Sequence, residues 1–156
     1  AAHFIGRDEW DYWTNPATVD EIGEARQAFA VGAARRLAII EDSTEFFDDG
    51  DELLPGVTAA ATFGHTPGHM GFRIGDGAEG AFIAGDAIGN AHVSFTRPDW
   101  PIGSDQDRDR AAVTRSRLME MLAEEETILV GFHLPNGGIG RVARAETGFR
   151  FVEKDA

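Results

Sequence analysis

Three short apolar runs in this chain each end in a glycine, with a histidine or an aspartate one or two residues further on. Val57 to Thr62 leads into Gly64-His65-Thr66-Pro67-Gly68-His69, Gly80 to Ala84 into Gly85-Asp86, and Thr127 to Val130 into Gly131-Phe132-His133-Leu134-Pro135. Runs of this length, bounded by Gly and Pro, read as strands. Three strand ends therefore present two imidazoles and one carboxylate. Thr66-Pro67-Gly68 fixes the first of these turns, and a side chain on a rigid loop at a strand end loses little entropy when it binds something.

The remaining pattern places further elements around these strands. Ala2 to Arg7 reads as a strand entering a helix over Asp8 to Trp13. Thr18 and Glu21 make a capping box for a helix from Val19 to about Leu37, with Ile22, Ala25 and Phe29 on one face. Ala38 to Ile40 and Thr44 to Phe47 read as short strands, with turns at Asp48-Asp49-Gly50-Asp51 and Pro55-Gly56. Met70 to Ile74 pairs with Gly80 to Ala84 across Gly75-Asp76-Gly77.

Ser104, with Asp107 three positions on, caps a helix running to about Glu125 with a stripe of Ala111, Arg115, Leu118 and Leu122; Arg115 must snorkel or pair. Gly140 to Ala145 and Phe149 to Val152 are strand-like. Helix, several strands, helix, several strands is an α/β order, a mixed sheet with helices on its outer face.

Composition narrows the chemistry. The 156 residues suffice for one core and make residues 1–156 a single domain. With no cysteine, any metal here takes nitrogen and oxygen ligands. A net charge of −13 disfavours nucleic acid and anionic membrane surfaces as partners. No run approaches a bilayer span and the start has no signal-peptide pattern, so a soluble, cytoplasmic protein acting on a small molecule is the expectation.

A lone histidine is more often a hydrogen-bonded or surface residue than a ligand, and Gly-Asp after a strand is commonly just a turn. His65, Asp86 and His133 together, in their Thr-Pro-Gly-His and Leu-Pro contexts, point to metal. His69 leaves two arrangements open: a mononuclear site of His65, His69 and Asp86, or a site from which His69 turns away. His92, six residues after Asp86, is a candidate for orienting substrate or donating a proton, or a structural histidine. Phe95, Trp100 and Phe132 are pocket-lining or core aromatics.

From Val57 to Val142 the chain resembles the second half of the metallo-β-lactamase fold hydrolases, in the branch of lactonases and methyl parathion hydrolase. Glu9-Trp10-Asp11-Tyr12-Trp13, Arg97-Pro98-Asp99-Trp100 and Gly137-Gly138-Ile139-Gly140-Arg141 extend the likeness. The resemblance implies that His65 and His133 are metal ligands, that Asp86 bridges two divalent metals, most simply Zn with Mn, Fe or Co as alternatives, and that a metal-activated water attacks an ester, lactone or related substrate. It also implies a partial αββα sandwich.

The family's first cluster, His-x-His-x-Asp-His, has no counterpart in the sequence, where His3 is the sole early histidine. The chain then reads as the C-terminal part of a longer hydrolase, inactive alone, or as a degenerate domain used for binding or assembly. Half a sandwich leaves an inner sheet face uncovered, and a homo-oligomer covering it is expected.

Overall fold

In the computed structural model, which describes residues 2–153, two sheets are built in chain order. β1 (His3–Gly6) and β2 (Thr44–Phe47) pair in parallel as a small sheet. Between them run α1 (Arg7–Thr14), α2 (Ala17–Glu21) and α3 (Gln27–Ile40). A second sheet carries β3 (Glu52–Leu54), β4 (Val57–Ala61), β5 (Met70–Ile74), β6 (Ala81–Ile83), β7 (Ile128–Val130), β8 (Ile139–Arg144) and β9 (Phe149–Glu153), side by side in sequence order. All neighbours are antiparallel except β6 and β7, which are parallel and joined by a crossover containing α4 (Val93–Thr96) and α5 (Arg108–Glu125). A parallel pair needs such a crossover, since a tight turn cannot join it.

The single α3-type helix expected from Val19 to Leu37 is two helices. Gly23 sits at φ 89° and breaks the chain, and the Thr18 hydroxyl, expected to cap, instead donates to the Tyr12 carbonyl (2.5 Å) from inside α2. Ala38 to Ile40, expected as a strand, completes α3. That helix stops because the hydroxyls of Ser43 and Thr44 both donate to the Ile40 carbonyl (3.0 and 2.9 Å). The cap of α5 is Asp107, whose side chain accepts from Arg110 N–H (3.0 Å), rather than Ser104.

Strand alternation sorts the large sheet into two faces. Phe82, Leu129, Val142 and Phe149 lie on the helix side and form the core with Leu118, Met119 and Leu122 of α5 and Phe95 of α4. Each such side chain contributes roughly 1.5–3 kcal/mol by leaving water. On the opposite face the register aligns Phe72, Ile83, Val130 and Ile139 in one row, and Val57, Ile74, Ala81 and Ile128 in the next. The small sheet meets this face where Phe47 packs on Phe72, ring centroids 5.9 Å apart, and where Gly6 lies against Met70. Ile74, Ile83 and Ile139 remain exposed. Part of this apolar face is therefore open to solvent. Among the described residues, no helix is long and apolar enough to cross a membrane.

Candidate metal centre

Topology gathers the three strand ends. Two successive antiparallel steps point β4 and β6 the same way, and β7 is parallel to β6. The C-terminal ends of all three strands therefore lie along one edge of the sheet, and His65, Asp86 and His133 follow directly from them.

The His65 loop is held from both sides. On one, Gly64 packs so tightly on α5 that a Cβ there would fall 2.3 Å from Ala111 N. On the other, the Glu9 carboxylate of α1 grips the turn. Thr66 Oγ1 lies 2.8 and 2.6 Å from its two oxygens, and Gly68 N–H (3.1 Å) and the Trp13 indole N–H (2.7 Å) also donate to it. Glu9 was legible only as part of an acidic, aromatic turn. Nothing local announces a bond to a residue 57 positions away.

Asp86 sits on a short 3₁₀ turn, Gly85–Ala87. Its backbone N–H donates to His69 Nε2 (3.1 Å), which must therefore be unprotonated, while His69 Nδ1–H donates to Thr62 Oγ1 (2.7 Å). Burial, and after it the neighbouring His65 imidazole, lowers the His69 pKa below 6.5 and keeps the ring neutral. With both nitrogens engaged, His69 has no free lone pair to join His65 and Asp86.

The remaining two imidazoles converge on one carboxylate. His133 Nε2 lies 2.8 Å from Asp86 Oδ1, and His65 Nε2 lies 3.7 Å from Asp86 Oδ2. The other ring nitrogen of His65, Nδ1, is 3.1 Å from Oδ1 of Asp105, a buried carboxylate only 3% exposed. An ionised carboxylate only accepts, so Nδ1–H donates to Asp105, and in the neutral ring Nε2 turns its lone pair toward Asp86. A lone pair facing an anion needs a cation or a proton between them.

The spacing suits a cation. Two ligands of a tetrahedral zinc, each at about 2.1 Å, stand about 3.4 Å apart, close to the 3.7 Å between His65 Nε2 and Asp86 Oδ2. At 2.8 Å, by contrast, His133 Nε2–H donates directly to Asp86 Oδ1, a hydrogen bond that a metal would replace. The donor set thus fits divalent metal on either side of Asp86, with two donors to each side. Among the described residues no cluster of three or more His, Cys, Asp or Glu closes around one point.

His92 is not part of this convergence. It is exposed at the N-terminus of α4, its backbone N–H donating to Asn90 Oδ1 (3.0 Å). Phe95 is core, Trp100 packs under the Arg97 guanidinium, and Phe132 is exposed beside His133. The cavity beside His65, about 260 Å³, is instead walled by Trp13, Ile22, Arg26, Phe29 and Gln106, from the α1 to α3 region and the loop before α5.

Comparison with known proteins gives the family. The sequence matches the metallo-beta-lactamase superfamily over residues 1–133, whereas no curated protein matches it. Among solved structures it is similar to AbOPH, a hydrolase in the beta lactamase superfamily, with TM-score 0.88 and 24% identity over 100% of this chain and 56% of that one. It is similar also to AidC, a dizinc quorum-quenching lactonase solved with a homoserine product, with TM-score 0.85 and 26% identity over 98% of this chain and 54% of that one. A probable metal-dependent hydrolase from Staphylococcus aureus gives TM-score 0.70 and 15% identity over 100% of this chain and 53% of that one. The chain thus spans about half the length of these proteins. From the sequence match and from the placement of its three strand ends along one sheet edge, the chain belongs to the metallo-beta-lactamase superfamily.

Proposed function

We propose that this chain carries one half of the two-metal centre of a hydrolase that opens a small neutral ester or lactone. The observation that carries the reading is the convergence of His65 and His133 on opposite oxygens of Asp86; on this reading these three residues would hold the metals. Divalent metal there supplies Lewis acidity toward a carbonyl or phosphoryl oxygen and makes hydroxide available near neutral pH.

The chain's own residues do the positioning. Glu9 and α5 fix the His65 loop, His69 fixes the Asp86 backbone, and the cavity beside His65 offers an apolar wall of Trp13, Ile22 and Phe29 to a substrate of modest size. Similarity to a dizinc lactonase supports the substrate class, and the net charge of −13 disfavours polyanions. Two donors per metal fall short of the three or four protein ligands a zinc site takes. The remaining ligands, on this reading, come from further polypeptide that also covers the open face of the large sheet. Without it, two copies bury that face against each other.

The test is zinc content by elemental analysis of the longest gene product containing this sequence, as wild type and as Asp86→Ala, His65→Ala and His133→Ala. It is paired with hydrolysis of an acyl-homoserine lactone by the longest gene product containing this sequence. Loss of zinc and of turnover in all three variants is expected; unchanged zinc in Asp86→Ala sinks the bridging assignment. Because the described residues bring only two donors to each side, a non-catalytic binding or assembly domain is the second reading. A longest product that neither binds zinc nor hydrolyses lactone would establish it. Light scattering on the isolated chain should show dimers, and a stable monodisperse monomer counts against the uncovered-face argument.

A further inference from the structure

Asp105 and Arg115 form a buried pair outside the convergent triad. Arg115 is 0% exposed and Asp105 3%. Arg115 Nη1 lies 3.3 Å from Asp105 Oδ2, while Asp105 Oδ1 accepts from His65 Nδ1 at 3.1 Å. The same guanidinium also donates to two carbonyls, that of Trp100 at 2.9 Å and that of Ala87, next to Asp86, at 3.4 Å. One cation thus ties the residue that holds His65 to the turn that holds Asp86.

As a stability device this pair is poor. Burying a guanidinium and a carboxylate costs more than well-packed apolar groups unless every donor is satisfied, and Arg115 Nε is buried without a partner. Its value lies in what it holds.

We propose that Asp105, braced by Arg115, is a positioning residue that fixes the tautomer and ring plane of His65 and keeps it in register with Asp86. With Asp105 accepting at Nδ1, the neutral ring carries its proton on Nδ1 and leaves the lone pair on Nε2, the nitrogen turned toward Asp86. A carboxylate behind a ligating histidine both orients the ring and raises its basicity. The consequence for metal rests on the reading of His65 as a ligand, whereas the tautomer does not.

The experiment separates the two. Long-range ¹H–¹⁵N correlation spectra of the metal-free chain at pH 8 report the His65 tautomer, expected as Nδ1–H in the wild type. In Asp105→Asn the side chain keeps its shape, but its amide oxygen is drawn to the Arg115 donors and its NH₂ faces His65 Nδ1. The tautomer should invert to Nε2–H. In Asp105→Leu/Arg115→Met no buried charge is left unpaired, so the fold survives by its amide spectrum while the ring becomes a mixture of tautomers.

Zinc affinity by chelator competition should fall about 10–100-fold in both variants. An unchanged Nδ1–H tautomer in both overturns the positioning role. An inverted tautomer with unchanged zinc affinity, or a longest gene product containing this sequence that binds no zinc as wild type, removes His65 from the metal centre and leaves Asp105 as the residue that sets its ring.

Discussion

The ring of His69 accepts the backbone N–H of Asp86 at 3.1 Å, so the carboxylate at the centre of the site is held through its main chain by a neutral imidazole seventeen residues earlier. Replacing that imidazole with Leu leaves the Asp86 N–H without its partner and the Thr62 hydroxyl with only its bond to the His69 carbonyl. His69→Leu should cost roughly 2–3 kcal/mol, at the usual penalty for stranded buried polar groups. Urea unfolding measures the loss, and hydrogen exchange at the Asp86 amide should accelerate specifically. Unaltered exchange there would contradict the contact.

Gly68 tests the grip of α1 on the His65 loop. A Cβ at Gly68 would lie 2.1 Å from Glu9 N, inside the backbone of the first turn of α1. Since rigid backbone cannot yield, Gly68→Ala should cost at least about 3 kcal/mol, the upper range for overpacking. Gly103→Ala, where nothing lies within 4 Å, should change stability by less than about 0.5 kcal/mol. Equal melting shifts for the two would show that the loop is not clamped.

The C-terminus of α5 is pinned to β5 by Arg73 Nη1 and Glu125 Oε2 at 2.5 Å. The hydrogen bond from Arg73 is the largest cause lowering the Glu125 pKa below its usual 4.5. A carboxyl whose folded pKa is depressed stabilises the protein above its unfolded pKa and loses that contribution as pH falls through the folded value. Stability should therefore drop below about pH 4.5 by a component that Glu125→Gln lacks. The difference between wild type and variant, followed by denaturant midpoint against pH, should shrink on acidification; a difference that grows would reverse the assignment.

Packing of α5 on the sheet is the main support of the crossover. Leu122 is fully buried in the core with Phe82 and Leu129, while Val113 on the same helix is 70% exposed. Leu122→Ala should cost about 2–5 kcal/mol through transfer and cavity terms, and Val113→Ala no more than about 0.5 kcal/mol. Denaturant unfolding decides it, and comparable losses at both positions would mean that α5 is packed by another face.

The sheet was legible because its strands are bounded by turn glycines and Asp-rich corners that leave little choice. β2 and β5 fall at the expected residues. Misreadings came where two local signals competed. Thr18 has a capping-box partner in sequence but a nearer acceptor in the Tyr12 carbonyl, and Leu37 to Ile40 carries β-branched residues that cannot outweigh a helix already under way. The triad was visible as three strand ends. Asp105 and Glu9 were not, because each acts across tens of residues through bonds that only the closed fold creates. The cavity wall was hidden for the same reason, since Trp13 and Phe29 read as ordinary helix positions until α1 and α3 are placed beside His65.

The parallel pairing of β6 with β7 also sets an order in time. Asp86 and His133 are separated by 47 residues that include all of α5, and the entropy of closing that stretch must be met before the two strands reward it. The β4–β5–β6 meander brings His65 and Asp86 to one edge, but the contacts from α5 and Asp105 that fix them, and the second imidazole, arrive only when the crossover docks. Pulse-labelled hydrogen exchange should therefore find the β5–β6 amides protected before those of β7. A refolding chain passes through a stage with a formed hairpin edge and half a binding site, and gains its second imidazole in the event that buries α5.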